Sequence, residues 1–354
     1  MKIAIVGAGQ IADAHLGEIA RIENASVVAL CDLNESPLQA LQDKYRIPSV
    51  YTDFARLLQE AQPDVVHITT PPATHFMLAK QSIAAGAHVY IEKPLTVTYA
   101  ETQALLRFAE QHGRKVCIGT NHIYSRAQKK AMAAIRNGEI GSITHIDSLF
   151  SYDLQGIFGR QIMSNPDHWI ARLPGQVFQN NLNHPLTPIV PFLSDDFSVR
   201  AWADDWTGNG IVFEELRVEI IDHTNKLTAY IVFSSNVKPA AFRITYLGRK
   251  KALYLNNYNH TYLEDAVPRL PGTLGQILAI RQTMKSLSRQ FWRALTDFFL
   301  GRETYFTDMK ELFEKFYLAA EGKGPLPISV EELHKASRIM DEVVNQIGRP
   351  GGKK

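Results

Sequence analysis

Between residues 3 and 118 the chain alternates five short apolar runs, Ile3–Val6, Val27–Leu30, Val65–Ile68, Val89–Ile91 and Val116–Ile118, with segments of helical length. Apolar residues at consecutive positions, rather than every second one, describe strands buried on both faces, and helices between such strands cover a parallel sheet from both sides. One helix start is legible: Thr98 and Glu101 have capping-box spacing ahead of Tyr99–His112. Residues 1–120 are therefore expected to form an α/β unit, a Rossmann-type doubly wound parallel sheet.

The pattern then changes. A helical segment, Arg126–Asn137, stops at Gly138, and a strand follows near Ile143–Phe150. Leu216, Val218 and Ile220 alternate with polar residues, a Thr224-Asn225-Lys226 turn intervenes, and Leu227, Ala229, Ile231 and Phe233 resume the alternation. Phe242–Leu247 and Ala252–Leu255 repeat the hairpin around Gly248. A chain of 354 residues exceeds what one core serves. Residues 121–354 are expected to be a second, α+β domain with a large, mostly antiparallel open sheet, helices on one face and the other face left for a dimer contact. Asp308 and Ser329, the latter with Glu332, are the expected caps of the closing helices.

Basic and acidic residues nearly cancel at a net +2, which gives no general pull toward nucleic acid. The two cysteines, Cys31 and Cys117, fall in apolar runs, so neither a disulfide framework nor a metal site is expected, and a reducing cytoplasm is the simplest compartment. The first strand starts at Lys2, which leaves no signal peptide to expect, and no run of about 18 apolar residues suggests a membrane partner. Leu274–Arg302 mixes Arg281, Lys285, Arg289 and Arg293 with Ile277, Phe291, Trp292, Leu295 and Phe298. That composition suits a membrane-surface helix or a helix packed on the protein with its basic side chains in water; the packed helix is the preferred expectation.

The first strand runs into Gly7-Ala8-Gly9-Gln10-Ile11-Ala12. Gly7 permits a tight turn, Gly9 lets backbone approach a pyrophosphate, Ala12 allows helix and strand to pack closely, and the helix start at Gln10 and Ile11 offers N–H groups to phosphate. Asp32, past the second strand, can accept from both ribose hydroxyls and would repel a 2′-phosphate, which favours NAD over NADP; its alternative role is a helix cap. Thr69-Thr70-Pro71-Pro72 and His75 follow the strand ending at Ile68, on the edge where such sheets bind ligands. Thr70, Pro71 and His75 join the candidate cofactor site. Glu92-Lys93-Pro94 lies beyond the next strand, where the Lys93 ammonium can hydrogen-bond a substrate hydroxyl during hydride transfer and Glu92 can orient it. The alternative is a surface ion pair in a turn.

These segments, with Pro71-Pro72-Ala73-Thr74-His75, Ala85 to Pro94 and Gly138-Glu139-Ile140-Gly141, resemble the glucose-fructose oxidoreductase, inositol dehydrogenase and rhizopine-catabolism (Gfo/Idh/MocA) family, in order to about residue 150 and more loosely beyond. The resemblance implies a pyridine-nucleotide oxidoreductase acting on a sugar, cyclitol or nucleotide-sugar, as a homodimer or homotetramer. It also implies a histidine of the second domain as acid-base partner of the lysine. His184 matches that histidine, but Asn180 stands where aspartate is usual, Thr187 where a second aspartate often follows, and Gln176 where a small residue is common. An amide cannot take a proton, which leaves His184 as the base and Asn180 as a substrate hydrogen-bonding group. His122, Arg126, Arg160 and Arg172 are further candidates for substrate contact. A nucleotide-binding sensor or assembly subunit without efficient turnover is the competing expectation.

Overall fold

The computed structural model describes residues 1–165, 167–266, 270, 272–300 and 307–348. In chain order its strands are β1 Lys2–Val6, β2 Ser26–Cys31, β3 Ser49–Tyr51, β4 Val65–Ile68, β5 His88–Ile91, β6 Val116–Ile118, β7 Ile143–Ser151, β8 Phe197–Asp204, β9 Glu215–Asp222, β10 Leu227–Ser234, β11 Phe242–Gly248, β12 Lys251–Asn256 and β13 Thr261–Ala266. The helices are α1 Gln10–Ile19, α2 Glu35–Tyr45, α3 Phe54–Ala61, α4 His75–Ala84, α5 Tyr99–Gln111, α6 Arg126–Arg136, α7 Ile157–Ser164, α8 Trp169–Arg172, α9 Gln176–Asn181, α10 Asn183–Leu186, α11 Gly272–Phe299, α12 Thr307–Ala320 and α13 Val330–Ile347.

Two compact units emerge. The first comprises Met1–Asn121 and Phe306–Asp341, the second His122–Tyr305 and Glu342–Lys354. The first break falls between Asn121 and His122, and a later stretch of the chain is grouped with the first unit. The reason is packing: on α12, Phe313 and Phe316 are fully buried, and Phe313 meets the rings of His15, His67 and Tyr90 within the first unit. Asp308 sits in the first turn of α12 rather than ahead of it, whereas Ser329 and Glu332 form the reciprocal cap expected at α13.

The first unit holds a six-stranded sheet in the order β3-β2-β1-β4-β5-β6, every recorded pairing parallel. β1 and β4 carry their apolar runs fully inside, as strands covered on both faces must. The order reverses beside β1, so β1 and β4 diverge in connection and open the crevice where such folds bind ligands. Thr98 caps α5 reciprocally with Glu101, an arrangement worth about 1 kcal/mol.

The second unit holds a seven-stranded sheet in the order β13-β12-β11-β7-β10-β9-β8, antiparallel in its recorded pairs except for β7 with β10. Alternate residues of β9 and β10 are buried, as expected, and Asp222 shapes the turn between them by accepting from the backbone of Thr224 and Asn225.

One expectation fails. Helix α11 does not bury its apolar side chains: Ile277, Met284, Phe291, Trp292 and Phe298 are exposed. Its inward face is polar instead. Gln290 exchanges two hydrogen bonds with the backbone of Tyr262 on β13, each 2.9 Å, and Asp297 pairs with Arg126 at 2.7 Å. The last residues of the expected segment, Gly301 and Arg302, lie outside the described residues.

Candidate active site

The turn from β1 into α1 is built as its residue types require. Gly7 has φ of +100°, and a Cβ there would lie 2.8 Å from the carbonyl carbon of Thr69. Any side chain would strain the turn and collide with the neighbouring loop. Gly9 opens α1 without a side-chain cap, and a Cβ at Gly9 would meet no atom within 4 Å. The start of the helix thus presents backbone N–H groups beside open space, which fits a pyrophosphate. Asp32 follows β2: one carboxylate oxygen accepts from Ala8 N–H at 2.6 Å and the other from Asn34 N–H at 2.9 Å. Asn34, not Asp32, caps α2. These groups fit a dinucleotide, with Gly7, Gly9, Gln10, Ile11 and Ala12 at the phosphates and Asp32 at a ribose.

The loops after β4 and β5 are tied to this turn and to each other. Thr69 donates its hydroxyl to the Val6 and Gly7 carbonyls. The buried His75 ring spans the two loops, with Nε2 2.8 Å from the Thr70 carbonyl and Nδ1 2.9 Å from that of Pro94. His75 therefore fixes the loops that carry Thr70, Pro71 and Lys93, and burial holds its basicity below the usual value despite those two carbonyls.

Glu92 and Lys93 stand on different footings. The Glu92 carboxylate takes His15 Nε2 at 3.0 Å on one oxygen and the backbone N–H of Lys93 at 3.3 Å on the other. Glu92 thus holds the Lys93 backbone and is itself anchored to α1. Burial pushes the Glu92 carboxyl up, but the His15 hydrogen bond and charge, with Lys93 beside it, bring it below its usual value. Burial lowers the basicity of Lys93, against the opposing pull of Glu92.

Beneath this pair runs a buried chain that the sequence reading did not single out. His15 Nδ1 lies 3.0 Å from His67 Nδ1, and His67 Nε2 lies 2.9 Å from the Tyr317 hydroxyl on α12. Tyr90 stacks on His67 at 4.6 Å between ring centroids. Burial, reinforced by His15, keeps His67 neutral. Either neutral tautomer of His67 completes the chain: one accepts from Tyr317 and donates to His15, and the other does the reverse. Two signals were available in the sequence, since His67 interrupts the apolar run of β4 and His15 shares the stripe of Ala12, Leu16 and Ile19 on α1.

In the second unit, His184 on α10 and His122, just ahead of α6, are brought together with ring centroids 4.6 Å apart and edge to face. Phe150 of β7 stacks on His184 at 5.3 Å, and Phe242 of β11 meets His122 at 5.0 Å. The two histidines share one aromatic wall. Asn180, one turn before His184, is buried. Gln176 occupies a left-handed backbone conformation, φ +49°, where a glycine would sit without strain. Its amide offsets the strain, donating to the Ile211 carbonyl at 2.8 Å and accepting from Phe213 N–H at 3.2 Å. Of the candidate arginines, Arg126 pairs with Asp297 at 2.7 Å, the exposed Arg172 pairs with Asp167 at 3.0 Å, and Arg160 is exposed on α7.

Comparison with known proteins agrees with this architecture. Residues 1–120 match the family model described as "Oxidoreductase family, NAD-binding Rossmann fold". The chain is 31% identical over 144 residues to D-glucoside 3-dehydrogenase of Escherichia coli, covering 40% of this chain and 41% of that protein. It is 34% identical over 144 residues to inositol 2-dehydrogenase of Salmonella typhimurium, covering 40% and 43%. The matched segment thus spans less than half the length of these relatives. Among solved structures, the WlbA dehydrogenase of Bordetella pertussis in complex with NADH and UDP-GlcNAcA superposes with a TM-score of 0.77 at 15% identity, covering 100% of this chain and 98% of that one. A putative myo-inositol dehydrogenase from Sinorhizobium meliloti gives 0.74 at 18% identity, covering 98% and 97%. These structural likenesses establish the fold. Over residues 1–120 the chain is thus similar to the NAD-binding Rossmann domain of the Gfo/Idh/MocA oxidoreductases.

Proposed function

We propose that the protein is an NAD-dependent oxidoreductase acting on a secondary alcohol or ketone of a sugar, cyclitol or nucleotide-sugar. The observation that carries this reading is the carboxyl edge of the parallel sheet. There the uncapped start of α1, the Asp32 carboxylate and a partly desolvated Lys93 follow the ends of β1, β2 and β5. The names of the relatives, a glucoside and an inositol dehydrogenase, support a polyol as substrate.

NAD, when bound, accepts or returns a hydride at its nicotinamide. The chain supplies the rest. Lys93 hydrogen-bonds the reacting oxygen and stabilises its negative character as hydride leaves the adjacent carbon. His184 takes the hydroxyl proton and returns it in the reverse direction, and His122 steadies its ring. Asn180 replaces a carboxylate and acts as a neutral hydrogen-bonding group for substrate. Asp32 is followed by Leu33, Asn34, Glu35 and Ser36, none of them basic, which supports NAD over a 2′-phosphorylated cofactor. The second unit is assigned substrate binding and, through the open face of its sheet, assembly into dimers or tetramers.

The test is nicotinamide absorbance with a panel of sugars, cyclitols and nucleotide-sugars. Turnover with at least one, abolished by Lys93→Met while NAD still binds, is the expected result. NAD binding without turnover across the panel would replace the enzyme by a nucleotide-binding sensor.

A further inference from the structure

The inverted helix α11 points to a lipid surface. Over its 28 residues, Ile277, Ile280, Met284, Leu287, Phe291 and Phe298 follow the three-and-four spacing that lines up along one side of a helix. They are 56%, 61%, 65%, 41%, 59% and 75% exposed. Alongside them, Arg281, Lys285, Arg289 and Arg293 recur every four residues, and Trp292 lies 62% exposed at their border. The side turned to the protein carries Ser286, Gln290 and Asp297, with Gln290 and Asp297 satisfied by β13 and Arg126. The helix therefore turns Ser286, Gln290 and Asp297 to the protein and presents an apolar stripe flanked by basic side chains, unlike a helix that packs its apolar side on its own domain.

Charge decides the occupant. The helix carries four basic side chains and a single acidic one, Asp297, already paired with Arg126. A second copy laid along the stripe would set the cations of one helix against those of the other, with no carboxylates at the flanks to match them. An anionic surface matches both features at once, since the apolar stripe enters the acyl boundary while arginines and lysine meet phosphates. Beside the helix a cleft of about 720 Å³ is lined by Tyr262, Leu287 and Phe291 together with Lys130, Arg289 and Arg293, an apolar recess with basic side chains at its border. No helix among the described residues is long and apolar enough to cross a membrane, which fits a helix lying in the plane of the surface.

We propose that α11 is an amphipathic anchor that seats the protein on anionic phospholipid membranes. The proposal is independent of the chemistry assigned above. It replaces the packed-helix expectation and the expected absence of a membrane partner.

The experiment is co-sedimentation of the full chain with phosphatidylcholine vesicles, with and without phosphatidylglycerol. Sedimentation with the phosphatidylglycerol vesicles, weakened by salt, is the expected result. Met284→Asp with Phe291→Asp lowers partitioning at least about tenfold, and Lys285→Ala and Arg289→Ala lower it roughly fivefold each. All four positions are exposed, so NAD binding and circular dichroism stay unchanged. Equal sedimentation with phosphatidylcholine alone, or none with phosphatidylglycerol, overturns the proposal. So does sedimentation velocity in which Met284→Asp with Phe291→Asp dissociates an oligomer while vesicle binding persists, because a second copy would then be what covers the stripe.

Discussion

The loop that carries Lys93 and the helix that carries His184 are supported in opposite ways. Under Lys93 lies a line of buried polar groups, Glu92, His15, His67 and Tyr317, joined one to the next by hydrogen bonds. Around His184 lie rings, Phe150, Phe242 and His122, that fix it by shape. Polar support sets the charge state of what it holds, because charges and hydrogen bonds act strongly on one another in a dry interior. Aromatic support sets position, through the packing of one ring on the next.

Four experiments test this contrast. The largest effect is expected from Lys93→Met, which removes the cation and should lower kcat by about a thousandfold or more with NAD affinity retained. A loss confined to NAD binding would move Lys93 from the reacting oxygen to the cofactor. Next, His184→Gln keeps a planar, hydrogen-bonding side chain within the aromatic wall but no base, and kcat should fall about a hundredfold. An unchanged rate would assign the proton to another group.

The third concerns stability. Burial and His15 hold His67 well below its ordinary value of 6.5, so the unfolded chain takes up a proton that the folded one refuses. Stability must therefore decline as pH falls below 6.5, by about 1.4 kcal/mol per pH unit for this one residue. In His67→Gln that share of the decline should vanish, as read from urea unfolding near neutrality and about one pH unit below 6.5; a slope equal to the parent's would show that the polar chain does not govern protonation. The smallest effect belongs to Asp32→Asn, which removes the repulsion of a 2′-phosphate and should narrow the preference for NAD over NADP by about fivefold, measured as a ratio of Kd values.

Much of the first unit could be read from the sequence because its strands are buried on both faces and leave continuous apolar runs. β3 escaped because Ser49-Val50-Tyr51 is a three-residue, half-buried edge strand with no such run. The glycine turn and Asp32 were legible since their backbone demands restrict residue type. The polar chain was not, because Tyr317 is contributed by a helix 250 residues from His67, and residue spacing carries no trace of that meeting. His122 and His184 were each visible as candidates, but their ring contact depends on two strands of one sheet, β7 and β11, that supply the wall between them. For α11 the periodicity was plain and its direction was not: a stripe specifies that one side differs, and only the partner of the other side decides which faces out.

The late return of α12 to the first unit has a consequence for biosynthesis. When the ribosome has released residues 1–121, the parallel sheet has all six strands, yet Phe313, Phe316 and Tyr317, which close over His15, His67 and Tyr90, have not been made. The nascent nucleotide domain must wait through the synthesis of the second unit with two histidines uncovered. A fragment cut at residue 121 would keep that opening permanently.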